Sequence, residues 1–297
     1  MSWRWRGRWK AYSRAVPEPA ALDPRQVRRR FGRAARSYAK ASRLEAEIGA
    51  RMLERLDYMK LAPRRVLDAG SGPPQRRLGK RYPSADVFAL DASFGMLRAG
   101  AGWLDAFRTR MSICGDIAQL PIASGTIDLL WSNMALHWVA DPLAALREFH
   151  RAMAVDGLLM FSTLGPDTLA GLRAAAGAAR VHCFADMHDL GDMLLAAGFA
   201  EPVMDMERLT MLYADGAALL GDLRASGQTC ARADRARGLA GRGFLSALQD
   251  ALASQSREGK LPVGFEIVYG HAWKAPARRR PDLTEDGRAI VQFERRR

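Results

Sequence analysis

The stretch VLDAGSGPP, residues 66–74, decides the fold. Its apolar start predicts a buried strand that carries Asp68, and Gly70 and Gly72 predict a sharp turn from that strand into a helix. Glycines at such a turn allow the backbone to approach a ligand at the carboxyl edge of a sheet. A dinucleotide fingerprint would have a third glycine where this chain has Gln75. The turn therefore favours a ligand without phosphates, and an ordinary strand-to-helix turn remains the alternative.

Outward from this stretch, short apolar runs alternate with helical stretches. Such runs, apolar on both faces, are typical of a parallel sheet wrapped by helices. The first five runs are 66–69, 86–90, 111–114, 127–131 and 158–163, and the helical stretches lie near 75–81, 93–101, 142–153 and 166–176. A mostly helical part follows residue 180, with helices near 188–197, 214–225 and 243–256 and strand-like runs near 203–212 and 263–273. We therefore predict an α/β fold with a mostly parallel seven-stranded sheet and helices on both faces.

The net charge of +13 is concentrated at the two ends of the chain. Residues 1–40 contain twelve lysines and arginines against two acidic residues, and residues 271–297 contain eight against four. The body between them has 25 basic and 26 acidic residues, a net charge of −1. Basic ends can attract nucleic acid, an acidic protein or an anionic surface, or simply keep a chain soluble. Charge alone therefore assigns no partner.

Two further carboxylates lie just past successive predicted strands. Asp91 follows the second run, 21 residues after Gly70, where a carboxylate can accept hydrogen bonds from both ribose hydroxyls. Asp116 follows the third run, where its carboxylate would accept a hydrogen bond from the adenine amino group. Either residue alone fits a turn or a helix cap. Together they favour an adenosine pocket, and with the preceding turn they favour S-adenosylmethionine as the ligand.

We predict a single folded domain between two basic ends. The predicted segments are a basic arm (1–22), N-terminal helices (23–62), a cofactor-binding core (63–165), a part that completes the sheet (166–274) and a basic tail (275–297). The arginine-rich start weakly resembles an organellar transit peptide. No apolar run is long enough to span a membrane, and three widely spaced cysteines exclude a disulfide scaffold and fit a reducing compartment.

The chain resembles the class I S-adenosylmethionine-dependent methyltransferases and, more narrowly, the malonyl-acyl-carrier-protein O-methyltransferase family of biotin biosynthesis. The wider resemblance rests on the glycine turn, Asp91, Gly115-Asp116 and DLLWSNMALHW (128–138). The narrower one extends from about residue 24 to Lys274 and rests on the stretches 28–45, 131–138, 158–173 and 184–199. The family usually has glycine where this chain has Pro74. Proline lacks an N–H and has a fixed φ angle, which can weaken cofactor binding there.

The resemblance implies a Rossmann-like class I methyltransferase fold with an N-terminal helical lid and a helical insertion after the fifth strand. It implies O-methylation of the free carboxylate of a malonyl thioester carried by an acyl carrier protein, in biotin (pimeloyl) synthesis. We expect a cytoplasmic monomer that forms no stable complex with nucleic acid. The implied cofactor-binding residues are Asp68, Gly70, Ser71, Gly72, Asp91, Asp116, Ile117, Ser132 and Asn133.

The implied reaction needs alignment more than acid–base chemistry. A malonyl carboxylate is ionised at neutral pH and needs no general base. We therefore expect a positioning cation, for which Arg147 is the candidate, and a lid residue, for which Tyr38 is the candidate. A purely structural arginine and core packing behind Phe31 are the respective alternatives. His137 is interpreted as a histidine at the edge of the pocket rather than as a base.

One cluster superficially suggests a metal site. It contains His182, Cys183, Asp186 and His188, but this spacing matches no usual zinc pattern. Asp186 and Asp189 are interpreted as start signals of the next helix. No metal is predicted.

Two other classes of function remain open. A methyltransferase acting on nucleic acid would use the basic ends, but the proline-rich motif of exocyclic-amine methylation is absent where this chain has WSNM, 131–134. A methyltransferase for another small acid fits the same motifs. A non-enzymatic assembly factor on the same fold is the other alternative, and Pro74 and the arginine-rich start keep it open.

Overall fold

The structure is a computed structural model that describes residues 22–74, 77–99, 111–235, 238 and 240–276. The predicted basic arm (1–22) and basic tail (275–297) lie almost wholly outside these residues. So do the first residues of the helix predicted near 75–81 and the end of the one predicted near 93–101.

Seven strands form one sheet in the order β3-β2-β1-β4-β5-β7-β6. Their bounds are β1 Arg65–Ala69, β2 Asp86–Asp91, β3 Met111–Cys114, β4 Ile127–Asn133, β5 Met153–Leu164, β6 Ala200–Tyr213 and β7 Leu261–Trp273. Neighbouring strands among the first five pair in parallel, whereas β7 is antiparallel to both β5 and β6. Each predicted run falls within one of these strands, so the prediction of a mostly parallel, seven-stranded sheet is confirmed.

Helices cover both faces of the sheet. Their bounds are α1 Pro24–Ala41, α2 Arg43–Arg55, α3 Arg77–Arg81, α4 Phe94–Ala99, α5 Pro142–Ala152, α6 Ala170–Ala176, α7 Met187–Ala197, α8 Gly216–Ala225 and α9 Arg242–Ala253. The apolar sides of α2, α6, α8 and α9 pack in one core, and those of α5 and α7 pack in the other. Alternate residues of β7 enter the two cores, because side chains of a strand point to opposite faces.

Several helix starts follow from capping side chains. Asp23 accepts a hydrogen bond from the backbone N–H of Arg25 (3.0 Å), and proline follows it at the first helical position. Asp186 accepts one from the N–H of His188 (2.8 Å) at the start of α7. The prediction that Asp186 starts a helix is therefore confirmed. The helix predicted near 166–176 begins only at Ala170, because the preceding Leu169 has a left-handed backbone conformation.

The helices after residue 180 do not form one insertion after the fifth strand. Helix α7 lies between β5 and β6 and packs on α5, whereas α8 and α9 lie between β6 and β7 on the other face. The order of the predicted helices and strand-like runs agrees with this division. The pairing of the strands was not predicted, because hydrophobic periodicity does not show which strands pair, and β7 enters the sheet between two strands that precede it in the chain.

Candidate functional site

The candidate site lies at the carboxyl ends of β1 and β4, where the strand order reverses. Open α/β sheets bind ligands at such a point. The turn after β1 is held by the N–H groups of Gly70 and Ser71, which both donate to the carbonyl of Leu90 (2.8 and 2.9 Å). Gly70 has φ +77°, and a Cβ on it would lie 2.3 Å from the Cβ of Ala135. Only glycine fits this position without rearrangement.

Asp91 connects the glycine turn to the end of β2 through hydrogen bonds. Its carboxylate accepts hydrogen bonds from the N–H groups of Gly72 (2.9 Å) and Ser93 (2.7 Å). Burial raises the pKa of Asp91, and these two backbone hydrogen bonds act in the opposite direction. A carboxylate has about four lone-pair positions, so both oxygens can still accept hydrogen bonds from a ligand. The position agrees with the predicted ribose contact, which stays a prediction.

Tyr38 and Asp68 come to the glycine turn from different elements, Tyr38 from α1 and Asp68 from β1. A Cβ on Gly72 would lie 3.5 Å from a ring carbon of Tyr38, so α1 covers the turn as the predicted lid would. Burial, with the nearby charge of Asp91, raises the pKa of Asp68 to about 7. Both Tyr38 and Asp68 line a small cavity of about 40 Å³ beneath the N-terminal helices.

Glu45 and Arg77 line the same cavity but were not among the predicted site residues. Glu45 is only 7% exposed, and burial raises its pKa to about 7. Its Oε1 accepts a hydrogen bond from Gln228, whereas its buried Oε2 has no hydrogen-bond partner among the described residues. Arg77 donates to the carbonyl of Ala46 (2.7 Å). The sequence does contain a signal that Glu45 is a site residue: this acidic residue lies on the apolar side of a predicted helix, directly after Leu44.

Asn133 and Ser132 have different places at the end of β4. Asn133 lines the small cavity and connects α2 to the sheet, because its Nδ2 donates to the carbonyl of Glu45 (2.9 Å) and its Oδ1 accepts from Ser162 (2.9 Å). Ser132 is fully buried and donates to the carbonyl of Ala69 (3.0 Å). Ser132 therefore joins two strands through its side chain, and its predicted contact with the cofactor stays a prediction.

Asp116 and Ile117 lie beyond β3 at the same edge of the sheet. Asp116 is exposed, and its carboxylate accepts a hydrogen bond from the N–H of Ala118 (2.9 Å). Ile117 is 7% exposed and packs in the core next to α5. The N–H of Gly115 donates to the carbonyl of Asp91 (3.1 Å), which places this turn beside the ribose candidate. Their adenine contacts stay predictions.

The structure does not bring Arg147 together with the other candidates. Its side chain is exposed on α5 and lines neither cavity described here. The apolar residues beside it, Leu146 and Phe149, point into the core, so the outward direction of Arg147 follows from helical periodicity. The role of Arg147 as the cation that positions the substrate therefore stays a prediction.

His137 has no features of a general base. Burial lowers its pKa to about 3, and its Nδ1 lies 3.2 Å from the hydroxyl of Thr163. The Nε2 of His182 is also occupied, because it accepts a hydrogen bond from the N–H of Ala231 (2.7 Å). Within the part of the chain that the structure describes, no three His, Cys, Asp or Glu side chains are arranged as metal ligands.

A second, larger cavity of about 210 Å³ lies between the ends of β5, α6, α8 and α9. Gln228 lines it, and this residue donates its side-chain hydrogen bond to Glu45 of the small cavity. The two cavities are therefore separated by a Glu45–Gln228 contact.

The residues around the small cavity fit S-adenosylmethionine. Glu45 and Asp68 line it, and Asp91 holds the adjoining glycine turn. Burial raises the pKa of all three carboxyl groups, and Oε2 of Glu45 has no hydrogen-bond partner among the described residues. A cationic ligand would favour their ionised forms. Arg77 can accept the methionine carboxylate of the same ligand. The cofactor carries an ammonium, a sulfonium and a carboxylate, and this set of side chains complements all three.

Comparison with known proteins agrees with this geometry. A model described as a methyltransferase domain matches residues 67–161, from β1 to β5. A malonyl-[acyl-carrier protein] O-methyltransferase from Laribacter hongkongensis is 47% identical over 94% of this chain and 98% of its own length. The malonyl-[acyl-carrier protein] O-methyltransferase from Gallionella capsiferriformans is 45% identical over 91% of this chain and 96% of its own length. A solved candidate methyltransferase from Bacillus halodurans has a TM-score of 0.57 at 16% identity, covering 76% of this chain and 98% of its own, and so shows the fold.

A methyltransferase domain and a site that fits S-adenosylmethionine make the chain an S-adenosylmethionine-dependent methyltransferase. The expected Rossmann-like class I fold is confirmed by the strand order and by the solved structure that resembles it. The identity with the two relatives extends well beyond the matched domain, into the N-terminal helices and the helices that line the larger cavity. The chain belongs to the malonyl-[acyl-carrier protein] O-methyltransferase family.

Proposed function

We propose that the chain methylates the free carboxylate of a malonyl thioester on an acyl carrier protein, as a step of biotin (pimeloyl) synthesis. The observation that carries this proposal is the extent of the identity. Relatives of this name match over 91–94% of the chain, which includes the helices around the larger cavity as well as the cofactor core. A methyltransferase with another acceptor would share the core and differ in those helices.

S-adenosylmethionine, when bound, supplies a methyl group on an electrophilic sulfonium. Asp91 and the glycine turn would hold its ribose, Asp116 and Ile117 its adenine, and Asp68, Glu45 and Arg77 its methionine part. Tyr38 would cover the cofactor and exclude water, which removes the competing nucleophile. A malonyl carboxylate is ionised at neutral pH, so the chain needs no proton acceptor. The low pKa of His137, about 3, is consistent with a site that uses no histidine base.

We further propose that the enzyme is a monomer in the cytoplasm and that nucleic acid is not its substrate. The three cysteines are free, which fits a reducing compartment. No helix among the described residues is long and apolar enough to cross a membrane. The basic residues of α1 then have an acidic protein as their partner rather than nucleic acid.

The test is methyl transfer from labelled S-adenosylmethionine to malonyl-acyl-carrier protein. We expect a base-labile methyl ester on the malonyl group, no label on acetyl-acyl-carrier protein, which lacks the carboxylate, and none on bulk RNA. Expression in a biotin-requiring strain that lacks its own enzyme should restore growth. A silent calorimetric titration with S-adenosylmethionine would favour the assembly-factor alternative, and label on RNA would favour a nucleic-acid substrate.

A further inference from the structure

The larger cavity has an apolar interior whose polar groups are already bonded within the protein. Its walls include Leu164, Leu172, Val181, Leu223, Phe244 and Leu248. His182 accepts a hydrogen bond from a backbone N–H, Thr229 accepts one from Arg30, and Gln228 donates to Glu45. The interior therefore suits aliphatic groups better than charged ones.

One end of this cavity lies next to the small cavity that fits the cofactor. The Glu45–Gln228 contact is one connection between the two cavities. Trp138 gives a second one: it lines the larger cavity, and its ring lies edge-on against that of Phe31, with ring centroids 5.0 Å apart. The ring of Phe31 in turn lies edge-on to that of Tyr38, the lid candidate, with ring centroids 6.3 Å apart. A group at this end of the cavity is separated from the cofactor pocket by a single layer of side chains.

The cavity also has two exposed arginines, Arg180 and Arg224. The guanidinium of Arg180 lies 4.0 Å from the centre of the Phe244 ring, and Arg224 follows the buried Leu223 on α8. Neither arginine forms an ion pair with a described residue, and no acidic side chain lines the cavity. The exposed end of an apolar cavity thus carries positive charge without a counter-ion.

We propose that this cavity receives a phosphopantetheine arm, with Arg180 and Arg224 binding its phosphodiester. This inference rests on the proposed function, because the arm is the carrier of the malonyl thioester. The dimethyl and ethylene groups of the arm occupy the apolar interior, and the malonyl end reaches the Glu45–Gln228 contact. Arginine is suited to the outer position because its guanidinium can form paired, charge-assisted hydrogen bonds with phosphate oxygens.

The kinetic test compares three donors of the same malonyl group: malonyl-acyl-carrier protein, malonyl-coenzyme A and malonyl-pantetheine, which has no phosphate. In the double variant Arg180→Gln/Arg224→Gln we expect KM to rise about tenfold or more for the first two, the range for lost charge-assisted hydrogen bonds. We expect KM for malonyl-pantetheine and the affinity for S-adenosylmethionine to stay unchanged. The control Arg64→Gln/Arg65→Gln removes two exposed arginines at the amino edge of the sheet and should change none of these values.

A second variant tests the cavity itself. Ala176 lines its wall at the end of α6, so Ala176→Trp should fill it and abolish transfer to all three thioesters while cofactor binding persists. Calorimetric binding of coenzyme A gives a readout that does not require turnover, and the double arginine variant should weaken it. Equal changes in KM for all three thioesters, or equal binding of coenzyme A and pantetheine by the unaltered protein, would overturn the inference. Phosphate-dependent binding without methyl transfer to any malonyl thioester would instead overturn the proposed function.

Discussion

The backbone N–H of Gly72 donates to Oδ2 of Asp91 at 2.9 Å, which fastens the glycine turn after β1 to the end of β2. The carboxylate proposed to hold the ribose is thus also the group that shapes the turn. A substitution at Asp91 will act on both, and the two effects have to be measured separately.

Asp91→Ala should weaken S-adenosylmethionine binding by roughly 2–4 kcal/mol, about 30- to 1,000-fold, because it leaves polar groups of both the ligand and the turn without a partner. Calorimetry gives the affinity, and thermal unfolding shows whether the fold persists. Asp86→Ala, at the exposed start of the same strand, is the matched control and should bind normally. Unchanged affinity in a folded Asp91→Ala protein would remove Asp91 from the site.

Cofactor binding should depend on pH through Glu45. Its folded-state pKa of about 7 is above the ordinary value of 4.5, so the folded chain holds this proton to a higher pH than the unfolded chain does. The unliganded protein should therefore lose stability as pH rises from about 4.5 to about 7, by on the order of 3 kcal/mol from this group. A cationic ligand favours the ionised form, so S-adenosylmethionine should bind more tightly as pH rises through 7.

Glu45→Gln should flatten both pH profiles, raise the melting temperature of the unliganded protein at pH 8 and weaken cofactor binding there. Glu47→Gln is the control, since Glu47 is exposed on the same helix and pairs with Arg51. Identical pH profiles for the Glu45→Gln protein and the unaltered protein would show that Glu45 does not face the ligand's charge.

Gly70→Ala should destabilise the turn by roughly 2–4 kcal/mol, since it combines a positive φ with a Cβ placed 2.3 Å from that of Ala135. Denaturant unfolding and cofactor titration measure the two consequences. Gly79→Ala is the contrasting variant: nothing lies within 4 Å of the added methyl group, and alanine favours the helix there by about 0.5–1 kcal/mol. Comparable losses in both variants would contradict the close approach at Gly70.

The exposed arginines of α1 should speed the encounter with an acyl carrier protein, which is a small acidic domain. Arg29 and Arg33 are exposed on the side of α1 away from the buried Ala34 and Ala35. Arg29→Glu/Arg33→Glu should slow methylation of malonyl-acyl-carrier protein several-fold and leave malonyl-pantetheine almost unaffected. The difference should shrink as salt is raised, because such attraction is screened beyond about 8 Å at physiological ionic strength. Equal slowing of both substrates would contradict a docking role.

Much of the fold followed from local patterns. The run VLDA, 66–69, is a strand because it is apolar and ends at glycines, and the aspartate-proline pair at 23–24 starts a helix through its own side chain and ring. The direction of Arg147 follows from the same kind of pattern, because the apolar stripe of α5 faces the core and leaves Arg147 exposed to solvent. Its role in positioning the substrate stays a prediction.

The sequence by itself determined the strands and helices, the glycine turn and the carboxylates Asp91 and Asp116 at the edge of the sheet, because each depends on residues close together in the chain. Only the tertiary structure decided that Glu45 lies against Gln228 and that Arg180 and Arg224 share one cavity. These contacts join segments 44 or more residues apart, and their chemistry depends on burial, which no local pattern reports. The cofactor turn is a local structure, whereas the substrate cavity exists only where distant helices pack together.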